Sequence, residues 1–173
     1  MDPDPPGGDK LDRLGDLLAG LGAALGTGDI LGWASPGAIN AVPDEVFRVV
    51  TNAGLMADGD PRRRRPVIIP ADGAALMERM WEVDEPAAIG LLTTLAASTQ
   101  PSRPRRHHPG RRYEDEPQDI FAEIASLTGP DTRWWTNTDL TRWNPITQHD
   151  FDAVIVAAGG GIIVTLIAFE GGE

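Results

Sequence analysis

His149, Asp150 and Asp152 fall within four residues of one another, and Asp139 precedes them by ten. A histidine beside carboxylates is the raw material of general acid–base catalysis or of a metal site. The grouping is not specific. His149-Asp150 is a dipeptide that chance supplies often, and in a strand Asp150 and Asp152 share one face, which suits a solvated edge equally well. The other two histidines, His107 and His108, lie in a distant arginine-rich segment that would have to fold back to complete a metal site. The chain has no cysteine, which removes disulfides, thiolate nucleophiles and cysteine-ligated zinc. Ser35, Ser98, Ser102 and Ser126 have no nucleophile-elbow context. Gly159-Gly160-Gly161 lacks the Lys-Ser/Thr end of a phosphate loop. No catalytic residue, metal or cofactor is assigned, and the reading leans away from an enzyme.

Recognition chemistry has more material. Arg133-Trp134-Trp135-Thr136-Asn137-Thr138-Asp139 is followed by Trp143-Asn144-Pro145. Tryptophan anchors interfaces because it buries a large area and still offers an N–H donor. Adjacent Trp134 and Trp135 point to opposite faces of a strand, so one can be core and the other exposed. The plain alternative is that all three seal the interior. Candidate partner-contact residues are Trp134, Trp135, Asn137, Asp139, Trp143, Asn144, Asp150, Asp152 and Glu170. Two arginine groups, Arg62, Arg63, Arg64 and Arg65 and then Arg103, Arg105, Arg106, Arg111 and Arg112, could hold phosphate or nucleic acid. Only Tyr113 interleaves with them and Glu114, Asp115 and Glu116 follow at once, which favours a solvated loop.

Charge narrows the partner. The formal net charge is -11 over 173 residues, which argues against duplex DNA and favours steering toward something basic. Residues 1–60 carry ten acids against three bases, residues 61–115 seven against ten, and residues 116–173 nine against two. Acidic ends therefore flank a basic middle. The Arg, Ala, Gly and Pro usage suggests a GC-rich genome, such as that of an actinobacterium or its phage.

These residues need a scaffold. Residues 1–8 read as a disordered tail. Leu11, Leu14, Leu18, Leu21 and Leu25 behind Asp9 predict an amphipathic helix, core-facing or a short dimer seam. Ile30–Asn40 is punctuated by glycine and proline and holds Trp33. A second helix begins near Pro43 and faces Val46, Phe47, Val50 and Leu55 inward. Pro66–Pro70 is extended. A third helix behind Asp72 carries Ala75, Leu76, Met80 and Trp81. A fourth from Pro86, apolar on most faces, is expected at the centre. A mobile Arg/Pro-rich loop occupies about 99–118, and a fifth helix presents Ile120, Phe121, Ile124 and Leu127. Arg133–Thr138 is a strand. The runs Ala153–Ala158 and Ile162–Phe169 form a hairpin through the glycines. These runs are apolar at nearly every position, as in strands covered on both faces. Their total length is at the short limit for a membrane span, and the central glycines favour the hairpin.

The expected fold class is α+β: about five helices followed by a small antiparallel C-terminal sheet, in a single domain over 9–173. The acidic, proline-rich start does not resemble a secretory signal, so the expected location is cytoplasmic. The expected function is a non-enzymatic acidic protein that docks on and inhibits a basic protein, such as a toxin's immunity protein or a nuclease inhibitor. One alternative is an oligomerising phage or bacterial assembly component, with a homodimer formed by the leucine seam or by hairpin edges. Another is a nucleic-acid accessory factor or enzyme using the arginine loop.

Overall fold

The computed structural model describes residues 8–25, 30–55, 68–98, 117–147 and 151–170. Among the described residues there are five α-helices: α1 (Gly8–Leu25), α2 (Val42–Asn52), α3 (Gly73–Met77), α4 (Glu85–Ser98) and α5 (Pro117–Thr128). The same residues form five strands: β1 (Ile30–Pro36), β2 (Trp81–Val83), β3 (Arg133–Thr136), β4 (Phe151–Gly159) and β5 (Ile162–Glu170). They form one sheet in the order β1-β5-β4-β3-β2, and every pairing is antiparallel.

The β4–β5 hairpin organises this arrangement. Gly160 and Gly161 have φ of 59° and 76°, the left-handed values that a two-residue hairpin turn requires and glycine meets without a Cβ clash. The hairpin is the middle of the sheet, and both of its faces are buried. Ala153, Ile155, Ala157, Val164 and Leu166 pack under α1, α4 and α5. Val154, Val156, Ala158, Ile163 and Ile167 pack under α2, α3 and the chain around Ile146. Burying one Val, Leu or Ile side chain stabilises a fold by roughly 1.5–3 kcal/mol, so two covered faces are a large share of the driving force.

Each helix supplies one apolar stripe. In α1 Leu14, Leu17 and Leu18 are buried while Asp12, Arg13 and Asp16 are exposed. Those leucines face the sheet and are not available as a dimer seam. Arg13 reaches α5 by donating from Nε and Nη2 to the Glu123 carboxylate at 2.8 and 3.1 Å. In α2 Val42, Val46, Val49 and Val50 are buried. Helix α3 starts where the Asp72 carboxylate accepts the Ala75 N–H at 2.8 Å. Its first residue, Gly73, lies so close to α2 that a Cβ would stand 2.5 Å from the Pro43 carbonyl oxygen.

The fold differs from the sequence expectation in a definite way. The sheet is neither small nor C-terminal: β1 and β2 come from the N-terminal half and form its two edges. Ile30–Pro36, to which the sequence assigned no strand, pairs along its whole length with β5. Its Gly32 and Pro36 conceal a strand whose partner lies more than a hundred residues away in the chain. The third helix is also shorter than expected. It ends at Met77, and Trp81 pairs with Thr136 as part of β2. Helix α4 is not central. It buries Ala88, Leu91, Leu92 and Leu95 and leaves Ala87, Gly90 and Thr94 exposed. Thr93 and Thr94 return their hydroxyl protons to the carbonyls of Ile89 and Gly90 at 2.8 and 2.9 Å, so polar groups line the outer side of an otherwise apolar helix. The expected tail over 1–8 and loop over about 99–118 are described only at Gly8 and at Pro117 and Gln118, which belong to α1 and α5; the rest of both, with His107 and His108, the extended segment up to Val67, and Arg62–Arg65 lie outside the described residues. No described helix is long and apolar enough to cross a membrane.

Two glycines should respond in opposite directions to alanine. Gly73→Ala forces backbone apart at the α2–α3 junction and is expected to cost about 1–3 kcal/mol. Gly15→Ala, on the exposed side of α1 with nothing within 4 Å of the new Cβ, is expected to stabilise by about 0.5–1 kcal/mol. Urea unfolding of the two variants measures both.

Candidate functional site

The candidate residues converge on the chain that joins β3 to β4. β3 pairs with β4 from Arg133↔Ala158 to Thr136↔Ile155, and the chain then leaves the sheet and returns at Phe151. Trp134 is 1% exposed and enters the core beneath α4 and α5. Its indole Nε1 has no hydrogen-bond partner among the described residues. Trp135, on the opposite face, is half-buried against the α2–α3 side. The Arg133 guanidinium lies 5.1 Å from the Trp135 ring centroid and donates to Glu82 on β2 at 2.9 and 2.6 Å.

Asp152 is the centre of the polar structure. It is 0% exposed, and among the described residues its partners are all uncharged. Its Oδ1 accepts from Asn137 Nδ2 at 2.7 Å and Trp143 Nε1 at 3.2 Å. Its Oδ2 accepts from the Ile146 N–H at 3.1 Å, the Thr147 N–H at 2.6 Å and the Thr147 hydroxyl at 2.8 Å. A buried carboxylate is tolerated when donors replace its hydration. Asn137, also 0% exposed, extends the network. Its Nδ2 donates to the Asn144 carbonyl at 3.0 Å, and its Oδ1 accepts the Val154 N–H at 2.7 Å. Asn144 Nδ2 in turn donates to the Arg79 carbonyl at 3.1 Å, and Arg79 donates to the carbonyls of Pro145, at 2.6 Å, and Ile68. An open depression of ≈ 430 Å³ borders this staple, lined by Ala75, Glu78, Arg79, Asn144 and Pro145.

Above that base stands a tight turn. Thr138 and Trp143 form a β-bridge, and the Asp139 N–H donates to the Arg142 carbonyl at 3.1 Å. Asp139 Oδ1 accepts from the Thr141 hydroxyl at 2.7 Å and from the N–H groups of Thr141 and Arg142 at 2.9 and 2.7 Å. The Thr141 hydroxyl, then the Arg142 and Thr141 N–H groups, pull the Asp139 carboxyl down to about 2. Leu140 is at the tip with φ of 70° and 49% exposure. The Arg142 guanidinium lies 3.9 Å from the Trp81 ring centroid, and the Trp143 ring meets Phe151 at 5.5 Å.

The structure thus divides the sequence candidates. Trp134, Asn137 and Asp152 are interior: they hold the frame and present nothing to a docked partner. Their expected contact role is corrected by their burial. Asp152 does not lie on a solvated edge because the returning loop closes over it. Trp135, Trp143 and Asn144 are half-buried, and Asp139 is exposed. His149, Asp150, the side chain of Glu170, and Arg105, Arg106, Arg111 and Arg112 lie outside what the structure describes. Among the described residues no group of three His, Cys, Asp or Glu could hold a metal ion. Sequence reading missed Trp81, Arg79, Leu140, Arg142 and Thr147. The signal for Leu140 was available only weakly, as an apolar residue inside the polar run Thr136–Arg142.

Asp152→Asn removes an acceptor from a site where every partner donates. It leaves at least one buried donor unpaired, and unfolding by urea is expected to show a loss on the order of 3 kcal/mol. The exposed Asp139 gives a pH signature. Its folded pKa lies below the usual carboxylate value of 3.8. Its contribution is therefore present above that value and is lost as pH falls toward about 2. Carboxyl NMR titration should place the Asp139 midpoint near 2, and Asp139→Asn should remove its share of the acid-induced loss of stability.

Compared with family models, curated proteins and solved structures, this chain matches none.

Proposed function

We propose that this chain is a non-catalytic binding protein that docks on a basic protein partner and blocks it, through the 138–143 turn and the aromatic rim beside it. The observation that carries the reading is the presentation of Leu140. A leucine in the left-handed region costs about 1–2 kcal/mol. Such strain persists only where the surroundings over-determine it, and it concentrates at binding and catalytic sites. Here the three hydrogen bonds to Asp139 Oδ1 and the bridge between Thr138 and Trp143 hold the tip, and the Asp152 network anchors its base. An apolar side chain is thereby offered to solvent on a preorganised support, which lowers the entropy cost of docking.

The flanks suit a basic counterpart. Among the described residues nothing donates to Asp139 Oδ2, and the carboxyl stays ionised at neutral pH. Trp135, Trp143 and Asn144 contribute partly exposed aromatic and amide surface alongside. The net charge of -11 would accelerate encounter with a cationic protein in a salt-dependent way. A toxin or nuclease held inactive by its inhibitor is the concrete form of this reading.

Leu140→Gly separates docking from folding. Glycine accepts the left-handed backbone without strain, so thermal stability should hold or rise. Affinity for the partner recovered by pull-down should fall at least about ten-fold, measured by calorimetry. Rising salt should slow wild-type association. Unchanged partner affinity in Leu140→Gly, with no salt dependence in the wild type, would overturn the proposal.

A further inference from the structure

The two edges of the sheet are guarded differently. β2 is only three residues long, its Glu82 is paired with Arg133, and the Arg142 guanidinium stacks on its Trp81. Shortness and charge are the usual protections of an edge strand. β1 has neither. Its seven residues, Ile-Leu-Gly-Trp-Ala-Ser-Pro, include no charged side chain, and no charge occurs from Ile30 to Pro43. Among the described strands none pairs with its outer side.

The hydrogen-bonding direction along β1 follows from its register. The Gly37 N–H donates to the Gly161 carbonyl at 2.8 Å, and the pairing from Pro36↔Ile162 to Ile30↔Ala168 is unbroken. In an antiparallel ladder alternate residues point both backbone groups the same way. Leu31, Trp33 and Ser35 therefore turn toward β5. Ile30, Gly32, Ala34 and Pro36 turn outward, offering three N–H donors and four carbonyls, since Pro36 has no N–H.

We infer that β1 is the dimerisation edge of this protein, pairing antiparallel with β1 of a second copy to make one continuous sheet. A two-fold axis at Trp33 sets Gly32 opposite the second copy's Ala34, and Ile30 opposite its Pro36. The proline then needs only to accept, from the Ile30 N–H, and every outward donor has a partner. Charge selects the same occupant. Two molecules of net charge -11 repel wherever acidic surfaces meet, and this uncharged segment is where they can approach at least cost. A cationic partner finds no carboxylate on β1 itself, and the one that reaches it, Glu45 accepting from the Ser35 hydroxyl, is already paired with Arg48. This surface is separate from the Leu140 turn, so each proposal can fail alone.

Sedimentation of the full chain from micromolar to millimolar concentration tests the inference. The expected result is a shift to twice the chain mass. Amide exchange at Ile30, Gly32 and Ala34 should slow at least about ten-fold over that range, while Leu31, Trp33 and Ser35 stay protected throughout. Leu31 is half-buried but belongs to neither core cluster, so Leu31→Lys should give a monomer with unchanged circular dichroism. Ala34→Pro, which removes only an outward N–H, should do the same. If it does not fold, Leu31→Lys carries the test. A wild-type monomer at millimolar concentration overturns the inference, as does a natively folded Leu31→Lys variant that remains dimeric.

Discussion

A strand pair that is apolar on both sides cannot stand in water, and the structure of this protein follows from covering one. From Ala153 to Ala158 and from Ile162 to Ala168 every residue except the Gly159–Gly161 turn is buried. Covering one face takes three helices, α1, α4 and α5. Covering the other takes α2, α3 and the loop through Ile146. Pairing the hairpin's two outer sides takes β1 and β3. The hairpin therefore has no free edge of its own, and the alternative in which hairpin edges pair between copies has no edge to use.

The same constraint explains a carboxylate in the interior. The chain must leave the sheet after Thr136 and return at Phe151 while the α2–α3 face remains sealed, and an irregular loop there exposes backbone N–H groups to a dry environment. Asp152 collects those of Ile146 and Thr147, together with side-chain donors from Asn137, Trp143 and Thr147. A carboxyl group that takes several donors at once can satisfy a loop without regular structure. The residue that looked like part of an acid–base group is thereby occupied, and its effect on the surface is indirect: it makes the base of the 138–143 turn rigid. Asp139, thirteen residues earlier in the chain, plays the corresponding part at the top of the turn, exposed rather than buried.

Helix positions were readable wherever burial followed a 3.6-residue period. The leucines of α1, the valines of α2 and the Ile120–Phe121–Ile124 stripe of α5 each carry their own evidence, because a helix makes its hydrogen bonds locally. Pro43 and Asp72 marked two helix starts for the same reason. The glycine turn was equally local. β1 and β2 carried no such evidence. Trp81-Glu82-Val83 is too short to show a period, and Ile30–Pro36 holds a glycine and a proline that argue for a loop. Among the tryptophans, neighbouring positions implied opposite faces, but not that Trp134 was the inner one.

The amino-acid sequence by itself determined the helices with periodic stripes, the hairpin, the requirement that both of its faces be covered, and the large negative charge. These depend on residue type and on spacing within a few positions. Tertiary structure alone decided the strand order, the two edges and the inward position of Asp152. It also decided the stacking of Arg142 on Trp81 and the exposure of Leu140. Each of these depends on which distant segments meet. The physical reason is that a strand satisfies its backbone with partners elsewhere in the chain, and a polar side chain is either surface or frame according to what closes over it.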